Sequence, residues 1–169
     1  MMQRVLVIGC PGAGKSTFAR KLHELTGLPL IYLDMLWHKP DRSNYSEAEF
    51  DMALCRVLET ERWIIDGNYL RTLELRLQRS TTVFFLNYPL EVCLAGAEAR
   101  IGTKREDMPW TETEFDPEFR QWILDFPKDQ LSRINALLEK YREGRDIYIF
   151  RSRQQADSFL SEESHRIMS

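Results

Sequence analysis

The chain has 169 residues, 43% of them hydrophobic and 29% charged, with a net charge of −3 at neutral pH. Length and composition suit one globular domain over 1–169 with a proper core, and the acidic balance argues against a nucleic-acid binder that relies on bulk electrostatics. No apolar run approaches the roughly 18 residues of a membrane span, and the apolar stretch after Met1 to Arg4 is too short for a signal peptide. Cys10, Cys55 and Cys93 have no metal spacing and read as reduced thiols. The expectation is a soluble, cytoplasmic protein, monomeric or weakly dimeric.

The first predicted strand, over 4–8, is the apolar run Val5-Leu6-Val7-Ile8. It feeds directly into Gly9-Cys10-Pro11-Gly12-Ala13-Gly14-Lys15-Ser16-Thr17, which matches G-x-x-x-x-G-K-[S/T] in a strand–loop–helix setting. In such a P-loop, Gly9, Pro11, Gly12, Ala13 and Gly14 wrap an anion. Glycine lets the backbone curl so that several N–H groups point inward. Lys15 adds a mobile positive charge for the β- and γ-phosphates, Ser16 offers a hydroxyl to Mg²⁺, and Thr17 completes the motif. The helix that follows, over 15–25, turns the positive end of its dipole to the same phosphates. A dinucleotide fingerprint needs G-x-G-x-x-G and no lysine, so the spacing favours a nucleoside triphosphate such as ATP over NAD. Cys10, inside the loop, is either a small tolerated residue or a redox-sensitive thiol.

A second strand, over 30–33, runs into Asp34-Met35-Leu36-Trp37-His38, and Lys39 to Arg42 read as a polar turn. Ser46-Glu47-Ala48-Glu49 resembles a capping box and opens a helix over 46–59. The third strand, over 63–66, ends in Asp66. Apolar residues closing on a carboxylate form a Walker B-type segment, and Asp66 would hold Mg²⁺ through water; a helix cap is the other reading. Helix 69–77, strand 82–87 and helix 90–101 follow. The segment over about 102–115 is polar and aperiodic. A helical region over 117–142 is interrupted by Pro127, which predicts a kink or two helices. Its stripe of Phe119, Trp122, Ile123 and Phe126, continued by Leu131, Ile134, Leu137, Leu138 and Tyr141, reads as core. Gly144 is a helix stop before strand 146–150 and helix 154–162. Short apolar strands alternating with helices imply a buried parallel sheet with helices on both faces. Ligands of such sheets bind beyond the carboxyl ends of the strands.

At those strand ends a resemblance becomes concrete. Asp66-Gly67-Asn68-Tyr69-Leu70-Arg71-Thr72 resembles the D-G-F-P-R-T segment of adenylate kinases with one extra residue, and Leu86-Asn87-Tyr88-Pro89 resembles the strand-and-proline segment that follows it. The chain resembles the small adenylate-kinase-like P-loop kinases over almost its whole length. It is most similar to the DNA topology modulation protein group, whose W-I-x-D-G-N-Y, L-N-Y-P-L and W-x-x-x-F-P-K segments recur nearly intact. The resemblance implies an α/β P-loop NTPase of the nucleoside- and nucleotide-kinase type: three layers, a five-stranded parallel sheet and a short lid over about 102–115. It also implies ATP and Mg²⁺ as cofactors and a small molecule as phosphoryl acceptor.

Residue roles follow from the same resemblance. Arg71 would grip a phosphate of the acceptor, or else be a solvated helix arginine. Trp37 stands where adenylate kinases carry the arginine of G-D-M-L-R. A flat apolar ring cannot neutralise a phosphate, which counts against a nucleoside monophosphate as acceptor. Asp34 matches the aspartate with which kinases of hydroxyl compounds orient or deprotonate the attacking hydroxyl, with a helix cap as the alternative. Trp37 and Tyr69 stack on the acceptor or line its pocket; His38 is a loop residue. Arg100 and Arg105, with Lys104 behind them, are the lid arginines that would close over the transferred group, unless they form a solvated basic patch. Arg133 is a weaker further arginine. Arg151, after the last strand, would stack on adenine or lie on the surface. The expected function is ATP- and Mg²⁺-dependent phosphoryl transfer. The alternative is a nucleotide-binding regulator associated with DNA topology, against which stand the missing helix-turn-helix signal and the absence of a basic stripe. A GTPase switch lacks its N-K-x-D motif.

Overall fold

The computed structural model describes residues 2–169. Five parallel strands, β1 (Arg4–Gly9), β2 (Leu30–Tyr32), β3 (Trp63–Asp66), β4 (Thr82–Leu86) and β5 (Asp146–Phe150), form one sheet in the order β2-β3-β1-β4-β5. Central β1 pairs Val7 with Asp66 of β3 and Gly9 with Leu86 of β4. Val5, Leu6, Val7 and Ile8 are all fully buried. Successive strand side chains face opposite ways, so burial of every one means that both faces of the sheet are covered. The edge strands are more exposed: in β5 only Phe150 is buried.

The helices are α1 (Lys15–Thr26), α2 (Leu33–Trp37), α3 (Glu47–Leu58), α4 (Leu70–Arg79), α5 (Leu90–Ala99), α6 (Pro117–Phe126), α7 (Ser132–Lys140) and α8 (Arg153–Met168). The capping box at α3 is present in full, with Ser46 Oγ accepting from the Glu49 N–H at 3.1 Å and the Glu49 carboxylate accepting from the Ser46 N–H at 2.8 Å. Helix α1 packs on β1, β2 and β3 and against α8, where Phe18, Phe84, Phe150 and Phe159 close the core, with ring centroids 5.0–6.0 Å apart. Helix α4 packs on β1 and against α7.

One boundary departs from the sequence reading, at β2, while the join at Pro127 and the segment after α5 follow it. Strand β2 stops at Tyr32, and Leu33 already starts α2, because the buried Leu33 side chain anchors a short helix that carries Asp34 and Trp37. Beyond it, His38 bridges back to Asn44 in a tight hairpin. At Pro127 the helical region divides into two helices, α6 and α7, in line with the proline. A π-helical turn, Pro127–Leu131, joins α6 to α7, and such wide turns absorb a residue that cannot donate to the helical ladder. Residues 102–115 contain no helix or strand.

Candidate active site

A cavity of about 1060 Å³ opens beyond the carboxyl ends of β1, β2 and β3. The P-loop supplies one wall through Pro11, Gly12, Gly14, Lys15, Ser16 and Thr17. Gly9 and Ala13 lie behind it, and each has a structural partner there. The Gly9 N–H donates to Asn68 Oδ1 at 2.9 Å, and Asn68 Nδ2 donates back to the Gly9 carbonyl. The Ala13 N–H donates to the Cys10 carbonyl at 3.1 Å, closing the turn. Asn68, which the sequence offered only as part of a motif, thus clamps the root of the loop. Lys15 Nζ makes one long hydrogen bond, 3.3 Å to the Cys10 carbonyl, and is otherwise open to the cavity. The Cys10 thiol is buried against Cys93, a contact that together with burial raises its pKa and disfavours the reactive thiolate.

Asp66 ends β3 at the cavity floor. It is 6% exposed, and its Oδ1 is buried with no hydrogen-bond partner. Burial pushes the carboxyl up to about 7, against the pull of Lys15. An orphaned buried carboxylate oxygen that shares one cavity with the P-loop and the Ser16 hydroxyl is an oxygen donor set of the kind a hard cation takes together with water and phosphate, so these residues fit Mg²⁺. No cluster of three or more His, Cys, Asp or Glu side chains is arranged to hold a metal among the described residues. Any cation here would therefore depend on the nucleotide for further ligands.

The raised Asp66 pKa has a thermodynamic consequence. The unfolded carboxyl releases its proton near 3.8, whereas the folded one keeps it to about 7. Between those values the native state binds more protons, so the metal-free protein loses stability as pH rises and levels off above the window. The full loss is on the order of 4 kcal/mol, because each tenfold difference in proton affinity is worth about 1.4 kcal/mol. Urea denaturation at pH 5 and pH 8 in chelator should show it, and Asp66→Asn should flatten the slope. The same slope in both proteins would refute the assignment.

The opposite wall comes from α2 and the start of α4. Asp34 and Trp37 line the cavity with Tyr69, whose hydroxyl donates to Asp34 Oδ1 at 2.6 Å. The Tyr69 ring stacks on Phe50, 5.2 Å between centroids, and Trp37 meets the same Phe50 edge-on at 5.9 Å. Trp110, from the irregular segment, contacts His38 at 4.8 Å, so the hairpin after α2 touches that segment across the cavity mouth.

Two arginines, Arg71 and Arg151, take the surface alternative that the sequence left open, and Arg105 reaches the cavity with its charge offset. Arg71 does not reach the cavity. It lies exposed on the outer side of α4 and pairs with Asp51 at 2.7 Å and Glu47 at 3.6 Å on α3, because the extra residue in its segment turns it away. Arg105 lines the cavity, but its guanidinium is bound by Asp107 (Nε to Oδ1, 3.1 Å, with a second, shorter contact) and Glu112 (3.3 Å), so two carboxylates offset its charge. Arg151 is exposed and its N–H is capped by Gln155 at 2.6 Å; Arg153, two residues on, lines the cavity beside Gly96 instead. Arg100 does line the cavity. It lies over the Phe119 ring at 6.0 Å, and its buried Nε has no partner. Arg42 and Arg133 line the cavity too and form no ion pair among the described residues. The sequence also missed Gly96, whose signal is visible only in three dimensions: it lets α5 approach the backbone of the P-loop at Gly12.

Fold and loop together define the class: the architecture is that of the P-loop kinases. No protein-family model and no curated protein matches the chain. Among solved structures it is similar to a shikimate kinase from Acinetobacter baumannii in complex with shikimate, with a TM-score of 0.62 and 17% identity over 99% of this chain and 94% of that one. It is also similar to a shikimate kinase from Bacteroides thetaiotaomicron (0.54, 22% identity, all of both chains) and to a gluconokinase from Sinorhizobium meliloti 1021 (0.54, 15% identity, 98% and 91%). At these identities the likeness is one of fold.

Proposed function

We propose that the chain is an ATP- and Mg²⁺-dependent kinase that transfers the γ-phosphoryl group to a hydroxyl of a small molecule. The observation that carries this reading is the placement of Asp34, held by Tyr69, across one cavity from Lys15 and the orphaned Asp66 oxygen. A binding-only protein needs the loop; it does not need a second carboxylate held in the same cavity.

In this reading the P-loop amides and Lys15 hold the phosphates, and Ser16 and Asp66 hold Mg²⁺, which supplies charge neutralisation when bound. Tyr69 occupies one oxygen of Asp34 and leaves the other to accept the proton of the acceptor hydroxyl as its oxygen bonds to the γ-phosphorus and the bond to the β–γ bridging oxygen breaks, releasing ADP. Arg100 meets the charge that spreads over the transferred group. The segment 102–115 serves as the lid, with Arg105, Asp107 and Glu112 as its internal brace. Trp37 and Tyr69 shape the acceptor wall. Arg71 is engaged elsewhere and Trp37 stands in place of an arginine, so neither of the two positions by which adenylate kinases grip an acceptor phosphate does so here, which supports a hydroxyl compound such as a nucleoside, polyol or ring alcohol. The fold likeness to shikimate kinases and a gluconokinase supports the same class. The narrower resemblance to the DNA topology modulation group rests on its three sequence segments; two of them, through Asp66 to Tyr69 and through Trp122, line the cavity.

The test is ADP release over a panel of nucleosides, nucleoside monophosphates, polyols and hydroxy acids. One hydroxyl class should raise the rate well above that with water. Asp34→Asn should then lower kcat by about 10²–10⁴-fold with the KM for ATP little changed. Wild-type turnover in that variant removes Asp34 from the reaction.

A further inference from the structure

Helix α4 carries a charged residue on its buried side. Arg76 is fully buried, and it forms no ion pair among the described residues. A buried charge without a counter-charge is costly, and an apolar side chain of similar volume is commonly neutral or better for stability. The guanidinium is satisfied instead by oxygen atoms of uncharged groups. Nη1 donates to the Gly67 carbonyl at 3.0 Å, Nη2 to the carbonyls of Asn68 and Tyr69 (the latter at 3.0 Å), and Nε to Thr72 Oγ1 at 3.3 Å. The Thr72 hydroxyl in turn donates to the Tyr69 carbonyl at 3.1 Å. Burial lowers the Arg76 pKa to about 9, which keeps the group charged at neutral pH.

Three successive carbonyls converge on one point only if the backbone leaves the extended conformation. Gly67 has φ 138° and Tyr69 φ 37°, the latter a left-handed conformation that costs a non-glycine residue about 1 kcal/mol or more. The turn so held has three outputs. Asp66 enters it at the cavity with one buried, unpartnered oxygen, Asn68 clamps both polar groups of Gly9, and Tyr69 holds Asp34. We infer that Arg76 is a positioning residue, a buried cation around which the 67–69 turn is wound, and that it sets the P-loop, the metal carboxylate and the Asp34 carboxylate in register. The inference rests on the nucleotide-binding reading of the site.

Its test is ADP binding by calorimetry in chelator, where only the route through Asn68 to the loop is read. Arg76→Lys keeps the charge but cannot reach three carbonyls. It should weaken ADP binding at least tenfold when Asn68 is present and less than twofold in the Asn68→Ala background. A purely structural Arg76 would lower the melting temperature equally in both backgrounds and leave ADP affinity unchanged; that result, or equal weakening in both backgrounds, overturns the inference. If Arg76→Lys fails to melt cooperatively, Thr72→Val takes its place, with a two- to fivefold loss expected in the same pattern and unchanged affinity counting against it. A wild-type protein that does not bind ADP sinks the nucleotide reading itself; normal wild-type binding with an indifferent Arg76→Lys sinks only the positioning role.

Discussion

Replacing Lys15 with alanine should abolish measurable phosphoryl transfer while leaving the fold intact. The ammonium group makes a single long hydrogen bond, 3.3 Å to Cys10, and lies half-buried at the first turn of α1, so little native structure depends on it. Alanine is also the best helix former at such a position. Stability should therefore stay within about 0.5 kcal/mol of wild type. Activity should not. Lys15 is the P-loop's own side-chain cation, and in the proposed kinase its charge would stabilise a transition state in which negative charge spreads over the transferred group. Loss of one such donor costs about 10²–10³-fold in rate, or more where the charge also anchors the ground-state phosphates. ADP release and thermal melting measured on the same preparation check both halves. Wild-type turnover by a folded Lys15→Ala protein would end the kinase assignment.

The second large effect is expected at Gly96, a residue far from the P-loop in sequence. A β-carbon there would overlap the carbonyl oxygen of Gly12 and come within 3.0 Å of the Arg153 guanidinium. The approach is mutual, since a β-carbon on Gly12 would overlap the Cys93 carbonyl and lie 2.8 Å from the Ala97 nitrogen. Loop and helix α5 thus meet backbone to backbone, and neither backbone has a flexible chain end that can give way. In an isolated helix Gly→Ala would stabilise by about 1 kcal/mol. Here overpacking of about 1–3 kcal/mol opposes that gain, and the strain falls on the loop whose N–H groups must converge. Gly96→Ala is expected to lower the melting temperature by several degrees and to weaken ATP binding by tenfold or more, read by calorimetry. A variant that melts higher than wild type and binds ATP normally would show that the two backbones are free to separate.

These two positions differ in how they could be found. Lys15 is fixed by a local pattern: the glycines, the lysine and the hydroxyl act within nine consecutive residues, so the motif contains its own geometry. The same holds for most of the fold. Strand β3 begins and ends where the run Trp63 to Asp66 begins and ends, because a strand buried on both faces must be apolar until it reaches the site. Helix α3 starts where Ser46 and Glu49 cap each other, a purely local device. The short α2 was not legible, since five residues show no period and only the burial of Leu33 decides their path.

The arginines show the other limit. A guanidinium sits on a long, flexible stem, and its function depends on which oxygens surround it. Arg71, Arg76, Arg100, Arg105 and Arg153 look equivalent as letters, yet one pairs on the outside, one is buried among carbonyls, one is offset by two carboxylates, and only Arg100 and Arg153 present their charge to the cavity. The sequence by itself determined the P-loop motif, the carboxylate at the end of β3 and the alternating α/β order, because each is written in neighbouring residues. Tertiary structure alone decided which charges remain unpaired, which glycine admits the loop, and that Tyr69 reaches Asp34. Those depend on distances between segments that the chain order leaves open.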